Sequence, residues 1–462
     1  MKVLFVIVKT IEPGERHFLA AGICYVASAV KQAGHQTFGL NLSRAEDQHQ
    51  ALSDAILNNG IEVICISGLS KDYNDVEFIT NYCKLVKPGI CIIVGGHLVS
   101  SEPELVVQNL DFDFGVIGPG EETIVELLAA LNHPSDERLR EILGLAYKKT
   151  DGTVVLTETR FEVDDLDSLP YPDFPLLYDA EIQEFGNISI TASRGCPFKC
   201  TFCSRSNSAR YYQQRSLDAM FAELDYWLGL YDLKTFAILD DLFAATPERL
   251  REFCKRVKKY GLPFDFQSRV DIMTEELFSL LKDAGCQTIC FGLESINDGI
   301  LNSMQKRITV DQVDRAIQMT KKYDMRLVGC FIFGDVEETW ETANESLNYW
   351  IANEAKTDIY LTPICLHPGT KLYEIACEKG IIRDKLQFLK DGCPLLNVSR
   401  MSDDQVTQLH KRIEHLLSIK DRPLGFSLTK VRPDSRVDLV VECMSCKRKH
   451  EISIDLAADS RY

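Results

Sequence analysis

Across residues 1–130 the apolar positions fall in short unbroken runs, divided by amphipathic stretches of helical length. KVLFVIV (2–8) is the first run, apolar without interruption from Val3 to Val8. Phe18 to Ala33 then has helical spacing and stops at Gly34. QTFGLNL, EVICISG, ICIIVGG and DFGVIG follow as four further strands. Unbroken apolar strands joined by helices predict a parallel sheet covered on both faces. Five of them predict a doubly wound, Rossmann-like domain, which takes ligands at the carboxyl ends of its strands. Glycines stand where a ligand would sit: Gly68 after the third strand, Gly95 and Gly96 after the fourth, Gly118 and Gly120 after the fifth. One such glycine merely ends a strand; three glycine loops on one edge favour a ligand.

Residues 141–185 read as a connector. LAYKKTDGTVVLTET predicts a β-hairpin around Asp151 and Gly152, and LPYPDFP is a proline-punctuated linker. From residue 187 the strand–helix rhythm restarts, with strands at NISITAS, KTFAILD, PFDFQSR, CQTICFG, RLVGCFIFG and TDIYLTPI. Six units over 186–390 are too few for a closed eight-stranded barrel, so an open, partial (β/α)6 barrel is predicted, active at its strand carboxyl ends. Residues 391–462 hold a helix from Ser402 to Leu417 and a short β-like tail. The predicted class is therefore α/β: a Rossmann-like domain over 1–140, the connector, the partial barrel, and a small α+β carboxyl-terminal region.

Composition narrows the partners. The 462 residues are 45% hydrophobic and 26% charged, with a net charge of −17. That is an ordinary globular balance, and its acidity argues against nucleic acid, which needs a basic face. No apolar run approaches the ~18–20 residues of a membrane-spanning helix, and the first run lacks the cleavage site of a signal peptide. Sixteen cysteines without an export signal point to a reducing, cytoplasmic setting. Cys24, Cys65, Cys83, Cys91, Cys254, Cys286, Cys290 and Cys330 lie singly in apolar segments, as small hydrophobes do. Two groups differ: Cys196, Cys200 and Cys203, and the pair Cys443 and Cys446.

The triplet follows the first barrel strand in RGCPFKCTFCS (194–204), with spacing Cys196-x3-Cys200-x2-Cys203. Structural zinc takes four ligands, and no fourth stands nearby. Three thiolates around a four-iron, four-sulfur cluster leave one iron open to a substrate or cofactor. Three coincidental core cysteines fit poorly with a loop that also carries Arg194, Lys199 and Thr201. Cys443 and Cys446, followed by Lys447, Arg448, Lys449 and His450, resemble half a zinc ribbon; a lone pair is a weak signal, and it is not assigned to a metal.

The triplet, with the aromatic Phe202 before its last cysteine, resembles the radical S-adenosylmethionine (radical SAM) superfamily. AAGICYVASAVKQAGH (20–35), IIVGGH (92–97), GVIGPGEET (115–123), LDSLPYPDF (166–174), LDDLF (239–243), FGLES (291–295), FIFGDVEET (331–339) and HPGTKLYE (367–374) resemble its cobalamin (B12)-binding-domain branch. The resemblance implies a 4Fe-4S cluster on Cys196, Cys200 and Cys203, whose open iron chelates SAM. One electron, from a donor such as flavodoxin or ferredoxin, then cleaves SAM to a 5′-deoxyadenosyl radical. It also implies SAM contacts from Phe202, from Asp240 and Asp241 after the second barrel strand, from Gln267 and Arg269 after the third, and from Glu294 and Ser295 after the fourth. Each alone fits a solvated strand terminus; their common face favours the site.

Cobalamin would be gripped by three loops, through Ser67, Gly68 and Ser70, through Gly95, Gly96 and His97, and through Gly118, Gly120 and Glu121. The Asp-x-His-x-x-Gly motif of many cobalamin proteins is absent, so neither His17 nor His97 is expected on cobalt. The implied activity is cobalamin-dependent methylation of an unactivated carbon. An oxidative cyclase or ring-rearranging enzyme is the alternative. A tRNA methylthiotransferase would need three clustered amino-terminal cysteines and a basic RNA-binding end, and a non-enzymatic carrier would need no open iron. No catalytic residue is assigned, and the organic substrate is not legible.

Overall fold

The computed structural model describes residues 1–8, 19–160, 163–204, 212–238, 240–353, 358–420, 425–431, 436–442 and 449–455, with side chains to residue 418. The chain divides into two compact units. One comprises Met1–Pro197, Cys203–Phe243 and Leu366–Pro394; the other comprises Phe198–Phe202, Ala244–Cys365 and Leu395–Tyr462.

The first unit is built on β1 (Lys2–Ile7), β2 (Gln36–Asn41), β3 (Val63–Ser67), β4 (Cys91–Gly95), β5 (Phe114–Val116), β6 (Leu145–Lys148) and β7 (Val154–Leu156), in the order β2-β1-β3-β4-β5-β6-β7. The first five are parallel. Five of the six residues of β1 are buried and apolar, all but Lys2 at its start, because helices cover both faces of the sheet. The expected hairpin forms, with Asp151 accepting from the Thr153 amide at 2.9 Å and Gly152 at a φ of +86°. It extends the sheet rather than merely linking domains, since β6 pairs antiparallel with β5.

The proline linker and the helix Phe174–Phe185 lie against the β2 edge. A Cβ on Gly39 of β2 would fall 2.0 Å from the Leu176 carbonyl oxygen, so glycine is what lets the two backbones approach. Asn41 and Arg44 bond Glu181, and Ser28 donates to the Tyr171 carbonyl at 2.6 Å. An exposed strand edge is thereby covered. The same unit contains β8 (Asn187–Ser189) and the short antiparallel pair β9 (Ser193–Arg194) and β10 (Gln213–Gln214). It also holds β11 (Thr235–Ile238), parallel to β8.

The second unit carries four parallel strands in sequence order, β12 (Phe264–Ser268), β13 (Cys286–Glu294), β14 (Arg326–Phe333) and β15 (Asp358–Pro363). Their burial alternates, as in Phe264, Phe266 and Ser268 buried against Asp265 and Gln267 half-buried. One face packs on helices such as Glu275–Ala284 and Val310–Lys322, whose buried residues recur every three or four positions. On the other face of β12, Asp265 and Gln267 are half-buried. The pair β8 and β11 in the first unit and the four strands β12–β15 in the second lie at the places the pattern predicts. A helix, Asp403–Lys420, precedes an antiparallel sheet of β16 (Gly425–Val431), β17 (Arg436–Glu442) and β18 (Lys449–Asp455). Cys443 and Cys446 lie outside the described residues. No described helix is long and apolar enough to cross a membrane.

Candidate cofactor site

In the order β2-β1-β3-β4-β5 the chain reverses direction between β1 and β3, and ligands of doubly wound sheets bind at that switch point. A cavity of about 260 Å³ opens there, at the carboxyl ends of the strands. Phe5, Cys65, Ile66, Ile93 and Val116 make its apolar floor. Its rim is mostly backbone: Gly22, Gly95, Gly96, Gly118 and Gly120, with Ser67 and Glu121. Six of the residues expected to grip cobalamin therefore line one cavity: Ser67, Gly95, Gly96, Gly118, Gly120 and Glu121. Gly68, Ser70 and His97 are not among the residues that line it. Ser70 bonds His97 Nδ1 at 3.0 Å, and the His97 ring stands edge-on to His367, centroids 6.5 Å apart. No histidine is among the described lining residues, and His17 lies outside the described residues.

Two properties of the rim suit a large ligand that approaches backbone. Among the described residues, a Cβ on Gly22 would meet nothing within 4 Å. The helices that begin at Ala21 and Glu121 each lack a side-chain cap, and uncapped termini leave N–H groups for other partners. The polar wall was not foreseen. Arg194 pairs with the buried Glu121 at 2.5 Å and stacks 5.1 Å over the Tyr25 ring. Burial opposes the charge on Arg194, but Glu121 outweighs it and leaves its pKa above the ordinary value.

Arg194 stands two residues before Cys196, and the strand end that carries it is tied down. Asp240 accepts from the Ala192 amide at 3.0 Å, and the single Ser193 hydroxyl proton is shared between Asp240 at 2.9 Å and the Leu242 carbonyl at 2.8 Å. Asp240 thus braces the entry to the cysteine loop. Its neighbour Asp241 is half-buried, as are Cys196, Phe202 and Cys203.

In the second unit the loop residues Phe198–Phe202 rest on the turn after the helix Asp298–Ser303. The Thr201 amide donates to the Met304 carbonyl at 3.0 Å, and Cys200 Sγ lies 4.0 Å from the Gln305 carbonyl. Arg269 is covered by the Phe198 ring at 3.6 Å, pairs with Asp271 at 2.9 Å and donates to the Lys306 carbonyl at 2.9 Å. Glu294 ends β13 in the left-handed region, at a φ of +63°, and its Oε1 accepts from Lys306 Nζ at 2.6 Å. Ser295 is buried against Ser346, with hydroxyl oxygens 3.3 Å apart. Gln267 is half-buried on β12. Arg269, Glu294 and Lys306 therefore share one polar cluster, and Lys306 is the member that sequence reading missed.

Among the described residues, no group of three or more His, Cys, Asp or Glu side chains could hold a metal ion. A cubane cluster takes each thiolate at its own iron, and for it the donor set fits: three thiols within Cys196–Cys203.

Comparison with known proteins places these features. Residues 17–128 match the B12 binding domain family and residues 190–349 the radical SAM superfamily. A B12-binding domain and a radical SAM domain therefore follow one another along this chain. It is 28% identical over 404 residues to an uncharacterized methyltransferase of Pyrococcus horikoshii, covering 85% of this chain and 86% of that one. It is 26% identical over 356 residues to the anaerobic magnesium-protoporphyrin IX monomethyl ester cyclase of Rubrivivax gelatinosus, covering 73% of this chain and 62% of the cyclase. Its fold is similar to that of the radical S-adenosylmethionine methyltransferase TsrM of Kitasatospora setae, solved with cobalamin and a 4Fe-4S cluster bound. There the TM-score is 0.70 at 18% identity, over 82% of this chain and 75% of that one.

Proposed function

We propose that this protein is a cobalamin-dependent radical SAM methyltransferase acting on an unactivated carbon of an organic substrate, with a one-electron donor of the flavodoxin or ferredoxin class. One observation carries the reading. Arg194 closes the wall of the glycine-rimmed cavity through Glu121 and stands two residues before the first cysteine of the triplet. The cavity and the start of the cluster loop are therefore parts of one construction.

Bound in these places, the cofactors supply a methyl group, from SAM by way of cobalamin, and a 5′-deoxyadenosyl radical; the protein supplies position and shielding. The rim glycines let a corrin approach backbone, where a side chain would hold it away. The Arg194–Glu121 pair fixes the polar wall, and Asp240 holds the strand end from which the cysteine loop departs. Glu294, fixed by Lys306, presents a carboxylate that suits ribose hydroxyls, and Arg269 buttresses the loop through Phe198.

Anaerobic reconstitution tests the proposal. The protein should bind one 4Fe-4S cluster and copurify with cobalamin when the vitamin is supplied. Cys200→Ala should lose the cluster and the conversion of SAM to 5′-deoxyadenosine together. A variant that still cleaves SAM would remove Cys200 from the ligand set, and a wild type that takes up no cobalamin would remove the methyl-transfer reading.

A further inference from the structure

The turn that receives the cysteine loop is unusual in its backbone and in its connections. Gln305 and Arg307 both have positive φ, 53° and 56°, a costly conformation for residues other than glycine that persists where the surroundings over-determine it. The surroundings do so here. Ser303 bonds Asp335 just beyond β14, and the Met304 carbonyl accepts from Thr201. The Lys306 and Arg307 carbonyls accept from Arg269 beyond β12, at 2.9 and 3.4 Å. Lys306 Nζ reaches Glu294 at the end of β13. One five-residue turn thus ties together the ends of three strands and the middle of the cysteine loop.

Lys306 is the charged element of that turn. Its side chain is 10% exposed and its partner's 8%, so neither charge has bulk water to screen it. A Cβ on Gly292 would fall 2.4 Å from Lys306 Nζ and 2.5 Å from Glu294 Oε1; glycine at that position leaves room for the pair. Burial works against the ammonium, but the Glu294 carboxylate and then the Cys200 sulfur outweigh it, and the lysine pKa lies above its ordinary value.

We infer that Lys306 is a positioning residue of the cluster site. Its buried ammonium fixes the Glu294 carboxylate and, on the residue after Gln305, whose carbonyl lies 4.0 Å from Cys200 Sγ, favours the extra negative charge that a bound cluster takes up on one-electron reduction. The inference rests on Cys196, Cys200 and Cys203 as cluster ligands, which the iron content of the wild-type protein reports separately. The electron comes from dithionite in the test below, and no proton or bond is exchanged at Lys306.

The test is a dithionite titration of the reconstituted protein without SAM, followed by the electron paramagnetic resonance signal of the reduced cluster. Lys306→Met, which keeps the length and removes the charge, should lower the ratio of reduced to oxidised cluster at a fixed potential by about tenfold. That is a midpoint about 59 mV more negative for a one-electron couple. Lys306→Arg should stay near wild type. Glu294→Gln leaves the ammonium unneutralised and should move the midpoint the other way. A purely structural lysine would change thermal stability and leave the midpoint alone. A fully loaded Lys306→Met protein with the wild-type midpoint overturns the inference. If that variant takes up no iron, Glu294→Gln decides: a more positive midpoint supports the inference and an unchanged one overturns it.

Discussion

Glu338 offers a pH-dependent test of the second unit. It lies just beyond β14 with no exposed surface. Its Oε2 accepts from the Gly334 amide at 2.5 Å, and its Oε1 has no hydrogen-bond partner. Burial pushes its pKa from 4.5 up to about 8; the Gly334 bond opposes that rise and the nearby Asp335 adds to it. The folded protein therefore keeps a proton that the unfolded chain has released above pH 4.5. Stability is lost as pH rises between the two values, at about 1.4 kcal/mol per unit. From pH 5.5 to 7.5, allowing for the onset of ionisation in the folded state, the loss is about 2.5 kcal/mol. Glu338→Gln keeps an acceptor for Gly334 and removes the titration, so its stability should not share that loss. Urea unfolding at pH 5.5, 6.5 and 7.5, followed by tryptophan fluorescence, reads the difference; Trp340 and Trp350 lie on the helix Trp340–Asn353, just after Glu338. The wild type should fall progressively below the variant as pH rises. Parallel pH profiles would refute the assignment of a protonated, buried carboxyl.

Three further outcomes bear on the cofactor site. Gly96 has a φ of +85°, and a Cβ there would lie 2.7 Å from the Gly68 carbonyl oxygen and 2.9 Å from Ser67 Oγ. Gly96→Ala should cost about 1–3 kcal/mol of stability and lower bound cobalamin per protein, measured by absorbance. His97→Ala should leave the cob(II)alamin resonance without any change in nitrogen splitting, because His97 is turned to Ser70; lost splitting would make it a cobalt ligand. Glu294→Gln should keep its iron and weaken SAM binding by roughly ten- to a hundredfold, the worth of about 1.5–3 kcal/mol for a charge-assisted hydrogen bond. Unchanged affinity in a calorimetric titration would place Glu294 outside the SAM pocket.

The features legible in the sequence are those in which neighbours in the chain are also neighbours in chemistry. Strands β1, β3 and β4 announce themselves as unbroken apolar runs because they are buried on both faces. The three thiols occupy eight consecutive residues, and each glycine loop directly follows its strand. Pairings between distant side chains leave no such trace. Glu121 and Arg194 are 73 residues apart, and Arg194 reads as one more cation in a polar loop. Lys306 follows a six-residue helix and breaks no periodicity, so nothing in its neighbourhood marks it as buried. Asp240 was legible as a strand-end carboxylate, but the strand end it braces, at Ala192 and Ser193, could be seen only once β11 and β8 were paired. The hairpin β6–β7 was evident from its turn, whereas its docking on β5 depends on backbone groups that composition does not mark.

The central claim is that one protein uses SAM in two ways, as methyl source and as radical source. The direct measurement is anaerobic turnover of the reconstituted protein with SAM and reductant, with and without cobalamin, quantifying S-adenosylhomocysteine and 5′-deoxyadenosine by mass spectrometry. The account predicts both products with cobalamin present and S-adenosylhomocysteine lost without it. 5′-Deoxyadenosine alone, in the same amount with or without cobalamin, would contradict it and turn the reading to a radical SAM reaction without methyl transfer.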